Sequence, residues 1–206
     1  MVAHKGFVWS EVEVTGVAAH GSRPHLGVDA IVKAGPILTA IGELDEALAA
    51  REHDLLGRGS VHASVIEGGA ELSSYPARCA IGLERRTLPG ETGADVEAEL
   101  AALLDRCRAA DPRLAVEQRT VLVREPFEVD RDSELVRIVG EAAGSPPRIG
   151  GASYWADAAF IAAAGIPTVM FGPGGEGAHA AVEWVSVPDT RAVAQTLVGV
   201  AQRLCR

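Results

Sequence analysis

Over the first 124 residues, hydrophobic periodicity switches between period two and period 3.6 in a single order, and that order leaves few folds open. Residues 7–15 alternate, with Val8, Val12 and Val14 on one face and Glu11 and Glu13 on the other, as a half-buried strand does. From Asp29 the spacing becomes helical, with Ile31, Ala34, Ile37, Leu38, Ile41, Leu44 and Leu48 on one side. Pro36 falls inside that pattern and is expected to kink the helix or to mark its true start. Residues 60–66 read as a second strand with Val61, Ala63 and Val65 on one face. A turn begins at Gly68-Gly69, and residues 78–87 give a third strand with Cys79, Ile81 and Leu83 inward, ended by Pro89-Gly90. Thr92, followed three residues later by Asp95, resembles a capping box. It opens a helix with Val96, Leu100, Leu103, Leu104 and Cys107 at helical spacing, and residues 114–123 supply a fourth strand. The order β-α-β-β-α-β is that of a ferredoxin-like sandwich, one antiparallel sheet with two helices on a single face. An edge strand of such a sheet must be covered or charged, or it pairs with a second copy, so a homodimer is expected.

The texture changes near Glu125-Pro126. Leu135, Ile138 and Val139 predict a short helix stopped by Gly144, followed by a glycine turn at Gly150-Gly151 and a helix over residues 157–164. After Gly165-Ile166-Pro167, the run Thr168-Val169-Met170-Phe171 lacks alternation, as a strand buried on both faces would. A last helix runs from Asp189 through Val193, Leu197, Val200 and Leu204. The expected class is therefore α/β and α+β: a ferredoxin-like domain over residues 6–124, then a partial α/β segment over 125–206 with too few strands for a complete doubly wound sheet. That segment is expected to expose apolar surface.

The 206 residues carry a formal net charge of −9, which disfavours nucleic acid and anionic membranes as partners, since both need a positive footprint. The weakly polar run 161–172 is too short to span a bilayer. Three widely spaced cysteines, Cys79, Cys107 and Cys205, form no CxxC pair and suggest neither a thiolate zinc site nor a disulfide framework. With no cleavable signal character at the start, a reducing, cytoplasmic location is expected.

Two loops combine small residues with histidine. G-V-A-A-H-G-S-R-P-H-L-G-V-D-A-I, residues 16–31, carries His20 and His25, and F-G-P-G-G-E-G-A-H-A-A-V-E, residues 171–183, carries His179. Loops of this kind on a regular scaffold tend to hold function. Taken alone, each also reads as a solvated turn, with His179 bonded to a carboxylate such as Glu183.

Five stretches in order, A-A-H-G-S-R-P-H-L-G-V-D-A-I, G-G-A-E-L-S-S-Y-P-A-R-C, L-E-R-R-T-L-P-G-E, W-A-D-A-A-F and G-I-P-T-V-M-F-G-P-G-G-E-G-A-H-A-A-V-E-W-V, resemble the M20 metallopeptidase and amidohydrolase family. That group contains acetylornithine deacetylases and succinyl-diaminopimelate desuccinylases. The resemblance implies a dimerisation (lid) domain over 6–124 and the C-terminal part of a di-zinc catalytic domain over 125–206. Its reaction is hydrolysis of the amide of N-acylated amino acids or small peptides, with zinc, or cobalt or manganese in its place. His20 matches the lid histidine that steadies the tetrahedral oxyanion in the partner's site, and Arg86 the arginine that holds a substrate carboxylate; pairing with Glu84 is the plainer reading of Arg86. Ser73 stands where many relatives have Asn. Gly172, Gly174 and Gly175 would let backbone N–H groups approach an anionic substrate, and Asp157 fits a loop Asp or an N-cap. His179 matches the last metal-binding histidine, and Val182 stands where relatives often carry Asp. The family's H-x-D motif, bridging Asp and Glu pair have no counterpart, so this chain alone is expected to be inactive. The alternative expectation is a non-catalytic dimerisation module that complements a separate catalytic half.

Overall fold

The computed structural model describes residues 1–144, 148–178 and 180–205. They form two compact units, one of residues 5–126 and one of residues 1–4 with 127–206.

The first unit contains β1 (Gly6–Thr15), α1 (Ala30–Leu48), β2 (Ser60–Gly68), β3 (Arg78–Thr87), α2 (Gly93–Ala110) and β4 (Ala115–Arg124). The four long strands form one sheet in the order β2-β3-β1-β4, and every neighbouring pair is antiparallel. This is the expected β-α-β-β-α-β sandwich. Val12 and Val14 of β1 and Cys79, Ile81 and Leu83 of β3 meet Ile37 and Ile41 of α1 and Leu103 and Leu104 of α2 in one continuous core. Thr92 and Asp95 form the capping box reciprocally, and the five residues expected on the buried face of α2 are its buried residues.

Three expectations are corrected. The buried face of α1 is Ala30, Ala34, Ile37, Ile41 and Leu48, which leaves Ile31 and Leu38 exposed. The helix also runs unbroken through Pro36, held at its start by the Asp29 carboxylate, which accepts the Val32 N–H at 2.9 Å. In β2 a register shift between Ala63 and Val65 turns the later residues over. Ile66 then pairs with inward-facing Ile81 and Val65 with Gly82, so Val65 leaves the face that Val61 shares. Both Val65 and Ile66 are exposed.

The second unit holds α3 (Glu134–Ala142), α4 (Ala158–Ala163) and α5 (Val187–Leu204). Ala3–His4 lies between Phe127–Glu128, antiparallel, and Gly151–Ala152, parallel. His4 is fully buried, stacked on Phe127 at 5.2 Å with Trp155 edge-on at 6.1 Å. The expected strand at residues 168–171 is not formed. Met170 exchanges backbone hydrogen bonds with Met1, and Phe171 is exposed. A parallel-type strand becomes regular when it has neighbours on both sides, and this segment is bonded on one. The expected apolar exposure is present: Val187, Leu197, Val198 and Leu204 of α5 are open, and among its described residues only Thr196 is buried.

Candidate functional site

The loop between β1 and α1 is anchored at its root. Gly16 donates to the Ala77 carbonyl at 2.8 Å, Val17 and Val28 exchange bonds at 2.9 and 3.0 Å, and Ala30 donates to Pro76 at 3.1 Å. Gly16 is required there because a Cβ would meet the Val28 carbonyl oxygen, the Pro76 carbonyl oxygen and the Ala30 nitrogen at once. Gly16→Ala is therefore expected to cost about 1–3 kcal/mol and to displace both flanking segments. The measurement is the melting temperature together with the amide shifts of residues 17–28; unchanged shifts would show that the packing there is loose.

Beyond that root, Ala19–His20 pairs antiparallel with Ser74–Tyr75, and Gly21 donates to the Ser73 carbonyl at 2.7 Å. His20 and Ser73 therefore sit on adjoining backbones. The Ser22 N–H donates to His20 Nδ1 at 3.2 Å and the Ser22 hydroxyl lies 2.8 Å from the same nitrogen. With Nδ1 accepting, the neutral ring carries its proton on Nε2, and the exposed side chain offers that N–H to solvent. The Ser73 and Ser74 hydroxyls serve Glu71, whose carboxyl is held below the usual carboxylate range by Ser74 first and Ser73 second. His25 is exposed in the same loop.

Arg86 lies at the other end of the sheet. Eight residue steps along β3 separate Arg78, beside the loop roots, from Arg86, or about 27 Å at 3.4 Å per residue. Its Nε donates to Glu84 Oε1 at 2.7 Å, and its guanidinium sits over the Phe7 ring at 5.2 Å. Glu84 also accepts the Trp9 indole N–H at 2.8 Å. Sequence reasoning missed this aromatic surround, because it follows from the register Phe7↔Arg86 and Trp9↔Glu84. It also missed Arg85 on the opposite face, 4% exposed in its side chain and bonded to Glu91 at 2.8 Å and Glu99 at 3.1 Å.

The glycine loop belongs to the second unit. Gly175 pairs with Val185, and a Cβ on Gly175 would strike the Trp184 carbonyl oxygen. The Gly174 carbonyl accepts the Ser186 N–H at 2.8 Å, and Gly174 lies against the Asp189 carboxylate. Gly172 has open space around its Cα. With Val136, Val139 and Val193, Gly172 and Gly174 line a mainly apolar cavity of about 820 Å³. Asp157 is the N-cap residue of α4 but makes no side-chain capping bond, and Val182 is exposed. His179 lies outside the described residues. Among the described residues, no group of three or more His, Cys, Asp or Glu side chains could hold a metal ion. The described residues therefore do not by themselves assemble a metal centre. No described helix is long and apolar enough to cross a membrane.

Residues 2–110 match the family model for the peptidase dimerisation domain of M20 enzymes. The acetylornithine deacetylase of Myxococcus xanthus is 31% identical over 194 residues, covering 91% of this chain and 50% of that protein. That of Proteus mirabilis is 27% identical over 211 residues, covering 98% and 53%. The chain thus spans about half the length of the curated relatives it matches. Among solved structures, aminopeptidase PepT from Bacillus cereus superposes with a TM-score of 0.75 at 22% identity, covering all of this chain and 54% of that one. The dipeptidase Dug1p of Saccharomyces cerevisiae gives 0.72 at 11% identity, covering 98% and 55%. The dimerisation-domain match covers more than half of the chain and takes in β1, β2, β3 and both helices of the sheet unit, and the chain belongs to the M20 peptidase family.

Proposed function

We propose that this chain supplies the lid-side oxyanion donor and carboxylate clamp of an M20-type amidohydrolase, acting as a homodimer on N-acylated amino acids. The contrast between the two edges of the sheet carries this reading. The outer edge, β4, is interrupted by charge at Glu117, Arg119 and Arg124, which discourages pairing. The other edge, β2, exposes Ile66 on the helix-bearing face and Val65 on the opposite face, and Ile31 and Val32 of α1 are exposed as well. Ile31 lies against Gly68 at the end of that strand.

Two copies related by a two-fold axis would pair their β2 edges antiparallel. β2 begins at Ser60, opposite Arg86, and ends at Gly68, beside the turn that holds Ser73. Antiparallel pairing therefore sets the His20 end of one copy beside the Arg86 end of the other, two groups that lie toward opposite ends of a single sheet unit. His20 then offers its Nε2–H to the oxygen that gains charge when an amide is attacked, while the Arg86 fork holds the amino-acid carboxylate. The names of the curated relatives favour N-acetylornithine or a similar N-acyl amino acid as the substrate.

Sedimentation velocity tests the dimer. The expected result is a dimer at micromolar concentration that becomes a monomer in Val65→Lys/Ile66→Lys, with the circular dichroism unchanged. A monomeric wild-type chain removes the basis for this reading.

A further inference from the structure

Arg86 is too long a side chain to hold a fork in place unaided, and four contacts on the helix-free face of the sheet hold it. The face is set by register: Phe7 and Trp9 of β1 stand directly opposite Arg86 and Glu84 of β3. The guanidinium lies over the Phe7 ring, and the Phe7 and Trp9 rings are 5.2 Å apart at 36°. Glu84 divides its two oxygens, one accepting the Arg86 Nε–H at 2.7 Å and the other the Trp9 Nε1–H at 2.8 Å. Because Glu84 engages Nε alone, the two terminal nitrogens of Arg86 donate to nothing among the described residues and are left for a ligand. We infer that Trp9 and Glu84 are positioning residues for Arg86: Trp9 fixes the Glu84 carboxylate, Glu84 fixes Nε, and Phe7 supplies the floor, so that the free edge of the guanidinium is presented ready-oriented to a carboxylate. This rests on the proposed role of Arg86.

The ionisation of Glu84 agrees with the geometry. Burial pushes its carboxyl up, but the hydrogen bonds from Trp9 and Arg86, helped by the charge of Arg86 and the nearby His62, leave it below the ordinary glutamate range. The anion that orients Arg86 therefore persists throughout the neutral range. Orientation of this kind spares a flexible arginine the ordering cost at the moment of binding.

The experiment uses the chain as it is, with the Arg86 Nε–Hε resonance assigned by its loss in Arg86→Lys. In the wild type this resonance should be sharp and protected from exchange. It should shift on titration with N-acetyl-L-ornithine and not with the corresponding carboxamide. Trp9→Phe, which keeps a ring but removes the indole N–H, and Glu84→Gln should each broaden the resonance and raise the N-acetylornithine dissociation constant about five- to tenfold, with circular dichroism unchanged. An Nε–Hε resonance identical to wild type in both variants overturns the inference. If the resonance changes in the variants but N-acetylornithine never shifts it, the orienting contacts stand and the carboxylate role of Arg86 falls.

Discussion

Replacing Arg85 with alanine is expected to cost the sheet unit about 3–5 kcal/mol, the typical loss when one partner of a buried ion pair is removed. Arg85 points toward the helices, on the face opposite Arg86, and its side chain is 4% exposed. Its guanidinium bonds Glu91 at 2.8 Å, Glu99 at 3.1 Å and the Arg86 carbonyl. Arg51, just beyond the C-terminus of α1, approaches the same two carboxylates at 3.4 and 3.6 Å. Glu91 also accepts the Leu88 N–H at 2.8 Å, so the cluster ties the turn before α2 to β3. Without Arg85, two partly buried carboxylates face each other with only the more exposed Arg51 to offset them. The measurement is urea unfolding followed by the amide resonances of Val12, Ile81 and Leu103, which report on this unit alone. Arg119→Ala, which removes an exposed ion pair with Glu11 at 3.3 Å, is the control and should stay within about 0.5 kcal/mol of wild type. A loss at Arg85 no larger than that of the control would mean the cluster is held by packing rather than charge.

The second large effect is expected at His20. In any assembly of this chain that hydrolyses N-acetylornithine, His20→Ala should lower kcat by about 10²–10³-fold with little change in KM. The reasoning is that an N–H donor aimed at developing charge acts in the transition state more than in the ground state. Ser22→Gly is expected to lessen that effect, because the Ser22 hydroxyl helps hold Nδ1 and so favours the proton on Nε2. A His20→Ala enzyme with raised KM and unchanged kcat would recast His20 as a binding residue.

How much of this was legible beforehand differs from one residue to the next. Thr92 and Asp95 announced their helix start, because a capping box is a contact between residues three apart. Cys79, Ile81 and Leu83 were readable as a buried face because alternation is local. Val65 was not, since the shift after Ala63 depends on how β2 meets β3, and one extra residue reverses every side chain beyond it. Ile31 and Leu38 fit the apolar stripe of α1 by spacing, yet in the structure both stay exposed, with Ile31 against Gly68 of β2. The 168–171 run reads as a buried strand by composition alone, yet a strand needs neighbours that composition cannot supply.

The amino-acid order by itself determined the alternation of elements, the ferredoxin-like class and the loops that carry His20 and the glycines, because these depend on periodicity and turn chemistry within a few residues. Only the tertiary structure decided which residues stand opposite one another across the sheet. That register places Trp9 on Glu84 and Phe7 under Arg86, sinks Arg85 between two carboxylates, and sets His20 and Arg86 toward opposite ends of one sheet unit. Cross-strand partners are distant in sequence, and no local pattern encodes which distant residue a side chain will meet.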